Sequence, residues 1–412
     1  MNHRFRGLSG GLFTTVSKAD VGDGIGRLME QGYDIMAWAD PFFPDPSLPP
    51  SVKSVLLDCV SEGFLSHYTM PIGDPKLRRV IADKVWEHNS MKTDPDRNIL
   101  VTPGSDSGLL YAMMPFLSEG DEVLVPDPSY PSNFLNPRLC GAVAVNVPLR
   151  ERDGYQIDVR EFERLVTPRT KMVLMSHPNN PTGTVFRRGN LEELCEFIIK
   201  HDLILVCDQA FEDHIFDDLE FVSPATLPGM WERTVTVFSL SKGYGLSGLR
   251  VGYIVADDRI MDVLYGGAVN VLGATNTASQ IAAIAALKDK TILPGYRSVF
   301  ERRRRMAYDS WSSIPGVKML LPESGFLSWL NVSRLGTDAE VASYLMKEAK
   351  VVVNEGTHYG SLGGPGHLRI VHGCFADETR ARDAYDRIRT ALLALSRAKL
   401  KGSEGYCRPV QN

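Results

Sequence analysis

The sequence predicts an α/β fold, a mostly parallel sheet covered by helices on both faces, followed by a smaller α+β unit. Three observations predict it. Between about residues 51 and 290, short apolar, β-branched runs alternate with helix-like segments, the pattern of parallel strands joined by helical crossovers. Beyond a long charged segment near 293–312 the alternation gives way to shorter strands and two helices. The first fifty residues carry neither pattern, being punctuated by Gly and Pro and ending in PFFPDPSLPP.

Taken in order, residues 1–50 read as an N-terminal arm and loop. The large domain, 51–290, has strand-like runs at 98–104 (NILVTPG), 121–127 (DEVLVPD), 170–178 (TKMVLMSHP), 202–209 (DLILVCDQ), 234–241 (TVTVFSLS) and 249–256 (LRVGYIVA). Helical character falls at 105–117, 190–201 and 258–288. The small C-terminal domain, 291–412, opens on the charged helix. It continues with strands at 317–322, 325–332, 351–355 and 367–373 and helices at 337–348 and 376–396.

A chain of 412 residues, 43% hydrophobic and 23% charged, buries an ample core. Its net charge of -5 gives no electrostatic basis for nucleic-acid or anionic-membrane partners. The basic run Arg302 to Arg305 points in all directions on a helix and reads as a solvated face. Six scattered cysteines, Cys59, Cys140, Cys195, Cys207, Cys374 and Cys407, form no C-x-x-C, so neither a disulfide framework nor a metal site is expected. The N-terminal MNHRFRGLSGGLFTTVSKAD lacks the apolar core of a signal peptide, and a cytoplasmic protein is expected. Gly22-Asp-Gly-Ile-Gly26 lacks the full dinucleotide spacing, and no Walker A sequence is present.

The chemistry concentrates where ligands gather in an open α/β sheet, at the carboxyl ends of strands. The 170–178 run leads into Asn180, the 202–207 run into Asp208, and the 234–240 run into Ser241-Lys242. Singly, these read as a turn, a helix cap and a surface lysine. A lysine within SLSKGYGLSGLRVG is different, because the surrounding glycines let backbone approach a bound group while the amine is desolvated.

Here the sequence resembles the class I/II aminotransferases, the fold-type-I enzymes of pyridoxal 5′-phosphate (PLP). The family's lysine motif, Ser-x-Ser-Lys-x-x-Gly-Leu-x-Gly-x-Arg-x-Gly, is matched in full from Ser239 to Gly252, and the likeness runs from about residue 35 to about 390. The resemblance implies an aspartate-aminotransferase-like fold, with a mostly parallel seven-stranded sheet in the large domain and a smaller α+β domain. It implies a Schiff base between PLP and Lys242, which then moves the α-proton as acid and base. Asp208 would pair with the pyridinium nitrogen, and Asn180 would donate to the phenolic oxygen. Gly104, Ser105 and Asp106, with Ser239 and Arg250, would hold the phosphate. Tyr130 would stack on the ring, and Arg369 would grip the substrate α-carboxylate. Tyr68 and Thr275-Asn276 match elements that reach a neighbouring subunit, so the resemblance implies a homodimer with composite sites.

The chain departs from the family at several positions near the cofactor or substrate. Phe211 stands where a tyrosine usually donates to the phenolic oxygen, and phenylalanine cannot donate. Tyrosine is common where Asn133 stands, glycine where Ala39 stands, and proline where Glu355 stands. Val271 occupies the place of an arginine that some relatives direct at acidic side chains, which argues against aspartate or glutamate as substrate. The expected function is transfer of an amino group from an L-amino acid to a 2-oxo acid. The alternative is another PLP reaction, elimination, cyclisation or oxidation, on a specialised, arginine-like amino acid. A PLP-sensing transcription factor is disfavoured, because no helix-turn-helix pattern precedes the α/β region.

Overall fold

The computed structural model describes Arg4 and residues 24–404. Within them the chain opens with α1 (Gly24–Glu30) and β1 (Asp34–Ile35), and β1 pairs in parallel with Val351–Val352. Within residues 24–50, this differs from the irregular stretch expected there. A seven-residue helix and a two-residue strand are too short for periodicity to register, and the strand depends on a partner near the other end of the chain. The N-terminal residues read above against a signal peptide, and Cys407, lie outside the described residues.

Two helices follow, α2 (Pro50–Glu62) and α3 (Pro75–Asn89), each begun by proline in its first turn, where a missing N–H costs nothing. Then comes the main sheet: β2 (Ile99–Thr102), β3 (Glu122–Asp127), β4 (Val143–Pro148), β5 (Thr170–Ser176), β6 (Ile204–Asp208), β7 (Thr234–Ser239) and β8 (Gly252–Val255). Its seven strands lie in the order β2-β8-β7-β6-β5-β3-β4, with β8 antiparallel to both neighbours and the other pairs parallel. The central strands are buried along nearly their whole length, as helices on both faces require. Strand β4 was not among the runs read from the sequence. It is a half-exposed edge strand, but its run VAVNVP is no less apolar than that of β3, so the signal was present in the sequence.

The connecting helices are α4 (Ser105–Met113), α5 (Pro131–Leu139), α6 (Val159–Leu165), α7 (Arg188–Lys200), α8 (Leu240–Gly243), α9 (Asp258–Val271) and α10 (Thr277–Lys288). The single helix expected over 258–288 is therefore two. Gly273 turns into the left-handed region at φ 65, and the Asn276 side chain caps α10 by accepting from Ser279 N at 3.1 Å.

The C-terminal part contains α11 (Ile292–Trp311), β9 (Lys318–Met319), β10 (Leu327–Asn331), α12 (Asp338–Ala349), β11 (Val351–Val352), β12 (Asn354–Glu355), β13 (His367–Val371) and α13 (Glu378–Glu404). Its antiparallel sheet runs β12-β13-β10-β9. Trp311, Phe326, Leu345, Ile370 and Tyr385 pack in one core, with Trp311 Nε1 donating to the Tyr385 carbonyl at 3.2 Å. The solvated reading of Arg302 to Arg305 is corrected here, since Arg303 and Arg304 are 1% and 0% exposed. Arg303 donates to the carbonyls of Cys374 and Phe375. Arg304 donates to Pro322 O and Asp217 and lies over the Phe216 ring. Helix α11 is covered on the side facing the sheet, and guanidinium groups there serve carbonyls that would otherwise lack donors.

No helix among the described residues is long and apolar enough to cross a membrane. Cys59, Cys140, Cys195, Cys207 and Cys374 are free and buried. For function, the decisive feature is that β5, β6 and β7 are adjacent with level carboxyl ends, Ser176 opposite Asp208 and Asp208 opposite Val237.

Candidate active site

A cavity of about 510 Å³ opens at those carboxyl ends. Of the residues singled out from the sequence, Ala39, Ser105, Asp106, Tyr130, Asn180, Asp208, Phe211, Ser239, Lys242, Arg250 and Arg369 line it. Gly104 stands directly behind the lining: at φ 85, a Cβ there would lie 2.5 Å from Arg250 Nη2. Only glycine lets that arginine pass over the start of α4. Tyr68 is not in the cavity and is 96% exposed.

Lys242 follows β7 in the short α8, and its ammonium donates to the Ala39 carbonyl. Burial pushes its pKa down to about 8. Asp40 and Asp106 oppose that shift, while Arg369 and Arg250 add to it. Near pH 8 about half the amines are uncharged and nucleophilic, far more than for a free lysine.

Asp208 is 6% exposed at the end of β6. Burial raises its carboxyl to about 7; N–H donation from Ala210 and O–H donation from Ser176 pull the other way. These donors lie 3.1 Å from Oδ1 and 3.2 Å from Oδ2. Ser176 is itself held by Asn133, whose Nδ2 donates to Ser176 Oγ at 3.1 Å and to Ser129 Oγ at 2.9 Å. Sequence reading missed Ser176. The available signal was register, since it sits one strand over at the level of Asp208. Asn133, noted only as a departure from the family, is thereby given a partner.

At the other wall, Arg369 on β13 is 1% exposed. Its Nη1 donates to Asn180 Oδ1 at 3.2 Å, and its Nη2 to Ala37 O and Asn354 Oδ1, both at 2.7 Å. Its Nε has no hydrogen-bond partner among the described residues. A guanidinium fixed in this way keeps donor capacity for a carboxylate. Tyr130 donates to Asp106 Oδ1 at 3.0 Å, and Arg250 Nη2 stands 3.6 Å from Asp106 Oδ2. Helix α4 begins with no side-chain cap, so its first N–H groups remain available to an anion beside Ser105.

The Phe211 ring lines the cavity and packs on Phe326, ring centroids 5.5 Å apart. Thr275 and Asn276 are engaged within their own chain: the Thr275 carbonyl accepts from Thr69 and Gln280, and Asn276 caps α10. Trp38 and Asp40 also line the cavity and were not foreseen, because nothing local distinguishes them.

The sequence profile described as "Aminotransferase class I and II" matches residues 38–388. The chain belongs to the class I and II aminotransferases. The aspartate aminotransferase of Pyrococcus abyssi is 32% identical over 85% of this aminotransferase and 90% of its own length. The arginine–pyruvate transaminase of Pseudomonas aeruginosa is 32% identical over 91% of this chain and 93% of its own. Among solved structures, an aspartate aminotransferase of Thermotoga maritima superposes with a TM-score of 0.85 at 26% identity, covering 95% of this chain and 100% of that one. As an aminotransferase, the enzyme moves an amino group between amino acids and 2-oxo acids. The expected aspartate-aminotransferase-like fold is the one observed.

Proposed function

We propose that this aminotransferase holds PLP covalently through Lys242 and carries an amino group from an L-amino acid to a 2-oxo acid with the residues named above. The observation that carries the reading is the convergence of Lys242, Asp208, Asn180 and Arg369 in one cavity although they come from four separate segments. The donor set fits the cofactor. Asp208 is buried with Lys242 as a nearby cation that offsets only part of its burial, and a protonated ring nitrogen there would offset more. The uncapped start of α4, Ser105, Ser239 and Arg250 suit a phosphate, and Tyr130 offers an aromatic face.

When bound, the cofactor supplies an electron sink for the bonds of the substrate's α-carbon. The chain supplies the rest. Arg369 binds the α-carboxylate and so orients the α-hydrogen toward Lys242. The Lys242 amine, its pKa lowered to about 8, would take the α-proton as base and hold it for return as acid once substrate has freed it. Asp208 would hold a positively charged ring nitrogen, with Ser176 and Ala210 fixing its two oxygens.

A second copy completes the site in this reading. Leu57, Val60, Phe64 and Met70 are largely exposed beside Tyr68, as are Val269 and Val271 at the end of α9, an apolar surface suited to a homodimer. Tyr68 then reaches the partner's phosphate. The division into a large unit and a C-terminal unit with a boundary near residue 290 belongs to the same proposal, with residues 24–36 joining the C-terminal unit.

The second reading, elimination, cyclisation or oxidation, is favoured by one observation, that no hydroxyl stands on the Phe211 ring. An amino-donor screen with pyruvate and 2-oxoglutarate, with and without oxygen, separates the two. Transfer predicts stoichiometric amino-acid product from the acceptor, independent of oxygen. Consumption of donor without aminated acceptor contradicts it.

Phe211 also yields a direct test of cavity geometry. A hydroxyl donor near the phenolic oxygen withdraws electron density and weakens the internal hydrogen bond that keeps the lysine-bound cofactor protonated. Phe211→Tyr should therefore move the absorbance titration of the holoenzyme down by roughly one pH unit. A titration that stays in place or moves up shows that residue 211 does not face that oxygen.

A further inference from the structure

A second cavity, of about 310 Å³, lies beside the first, between α1, the strand leading to Trp38, α12 and the turn after β12. Trp38 lines both cavities. Arg369, in the first, donates to Ala37 O and Asn354 Oδ1, and both of those residues line the second. The carboxylate clamp is thus seated on the boundary between them. The walls of the second cavity are mostly apolar, including Ile25, Leu28, Val353 and Met346. Glu355 is the one acidic residue of its lining among the described residues.

Nothing within the described residues answers the Glu355 carboxylate. It forms no hydrogen bond and no salt bridge there, and it does not cap the turn that follows. The other charges near the substrate are balanced: Lys242, Arg250 and Arg369 share the first cavity with Asp40, Asp106 and Asp208. Among the described residues no further lysine or arginine lines either cavity to receive an acidic side chain; His358 is the one other titratable group beside Glu355 in the second.

We infer that the second cavity receives the side chain of the substrate and that Glu355 selects a long cationic one, the class of lysine, ornithine and arginine. This rests on the reading in which Arg369 holds the α-carboxylate and Lys242 the reacting carbon. With those two points fixed, three or four methylenes run over Trp38 and along the apolar wall, where their burial is favourable. Glu355 then closes a charge-assisted hydrogen bond at the far end. An aromatic or neutral aliphatic side chain fits the walls but leaves the carboxylate unpaired against apolar atoms, which a binding site penalises. An acidic side chain meets like charge.

The test uses the holoenzyme with 2-oxoglutarate and pyruvate as acceptors and L-arginine, L-lysine, L-norleucine, L-phenylalanine, L-aspartate and L-alanine as donors. The cationic donors should give the highest kcat/KM. Glu355→Gln should raise their KM by roughly 10- to 100-fold and change that of L-norleucine far less. Equilibrium titration of the cofactor absorbance should show the same selective loss of L-arginine binding. As a second variant, Ser343→Trp, on the α12 side of the cavity, should weaken long donors and spare L-alanine, whose side chain does not reach that far. If neutral or acidic donors are preferred, or if Glu355→Gln and Ser343→Trp affect all donors alike, the inference is overturned while amino transfer stands. If no donor aminates either acceptor, the underlying reading fails instead.

Discussion

Replacing Lys242 by alanine should lower kcat by roughly 10⁴-fold, the upper end of what a positioned general base contributes. Two roles are lost together, the covalent anchor and the group that moves the α-proton. The environment of the amine explains why no neighbour substitutes. Burial holds its pKa near 8, with Asp40 and Asp106 opposing and Arg369 and Arg250 assisting. Lys84, also buried, is committed to Glu212 and Asp213 and lies over the Phe238 ring, so it has no free amine to lend. The fold should persist, since removing a buried ammonium relieves a desolvation cost. Circular dichroism and single-turnover kinetics of Lys242→Ala check both halves. Activity within about tenfold of the parent would remove Lys242 from the chemistry.

Asp208→Asn should have two opposite effects. Amino transfer should fall by roughly 10² to 10³-fold, the loss typical of removing one preorganised charge. Yet the cofactor-free chain should become more stable at alkaline pH. A carboxyl raised from 3.8 to about 7 on folding, chiefly by burial, opposes folding when it ionises. The penalty is absent below pH 3.8, grows between pH 4 and 7, and is complete above 7. Its full size is on the order of 4 kcal/mol, the upper limit of the gain at pH 8. Asparagine keeps the acceptor for Ala210 N–H and can donate to Ser176, so little else is lost. Denaturant midpoints at pH 5 and pH 8 measure the effect. A variant equally destabilised at both would show that Asp208 is structural and was never held uncharged.

Much of this architecture was legible in the amino-acid order, for a physical reason. Buried parallel strands are continuous apolar runs, so β2, β3, β5, β6, β7 and β8 could be read, and with them the adjacent ends that carry Asn180, Asp208 and Lys242. Edge strand β4, VAVNVP, carried an apolar run comparable to that of β3 and was legible, though not read. The break between α9 and α10 hung on one left-handed glycine and one capping asparagine inside an otherwise helical stretch. Arg303 and Arg304 misled because charge alone signals solvent, whereas their burial depends on carbonyls of distant segments. The same limit hid β1, Ser176, Trp38 and the cavity of Glu355. Each owes its role to contacts between residues far apart in sequence, and periodicity reports only on neighbours.

One lysine carries the proposed chemistry. The purified holoenzyme, reduced with borohydride and digested, should carry the phosphopyridoxyl group on the peptide containing Lys242 and on no other. Recovery of that group on any other lysine, Lys84 included, or a chain that binds no PLP at all, would contradict it.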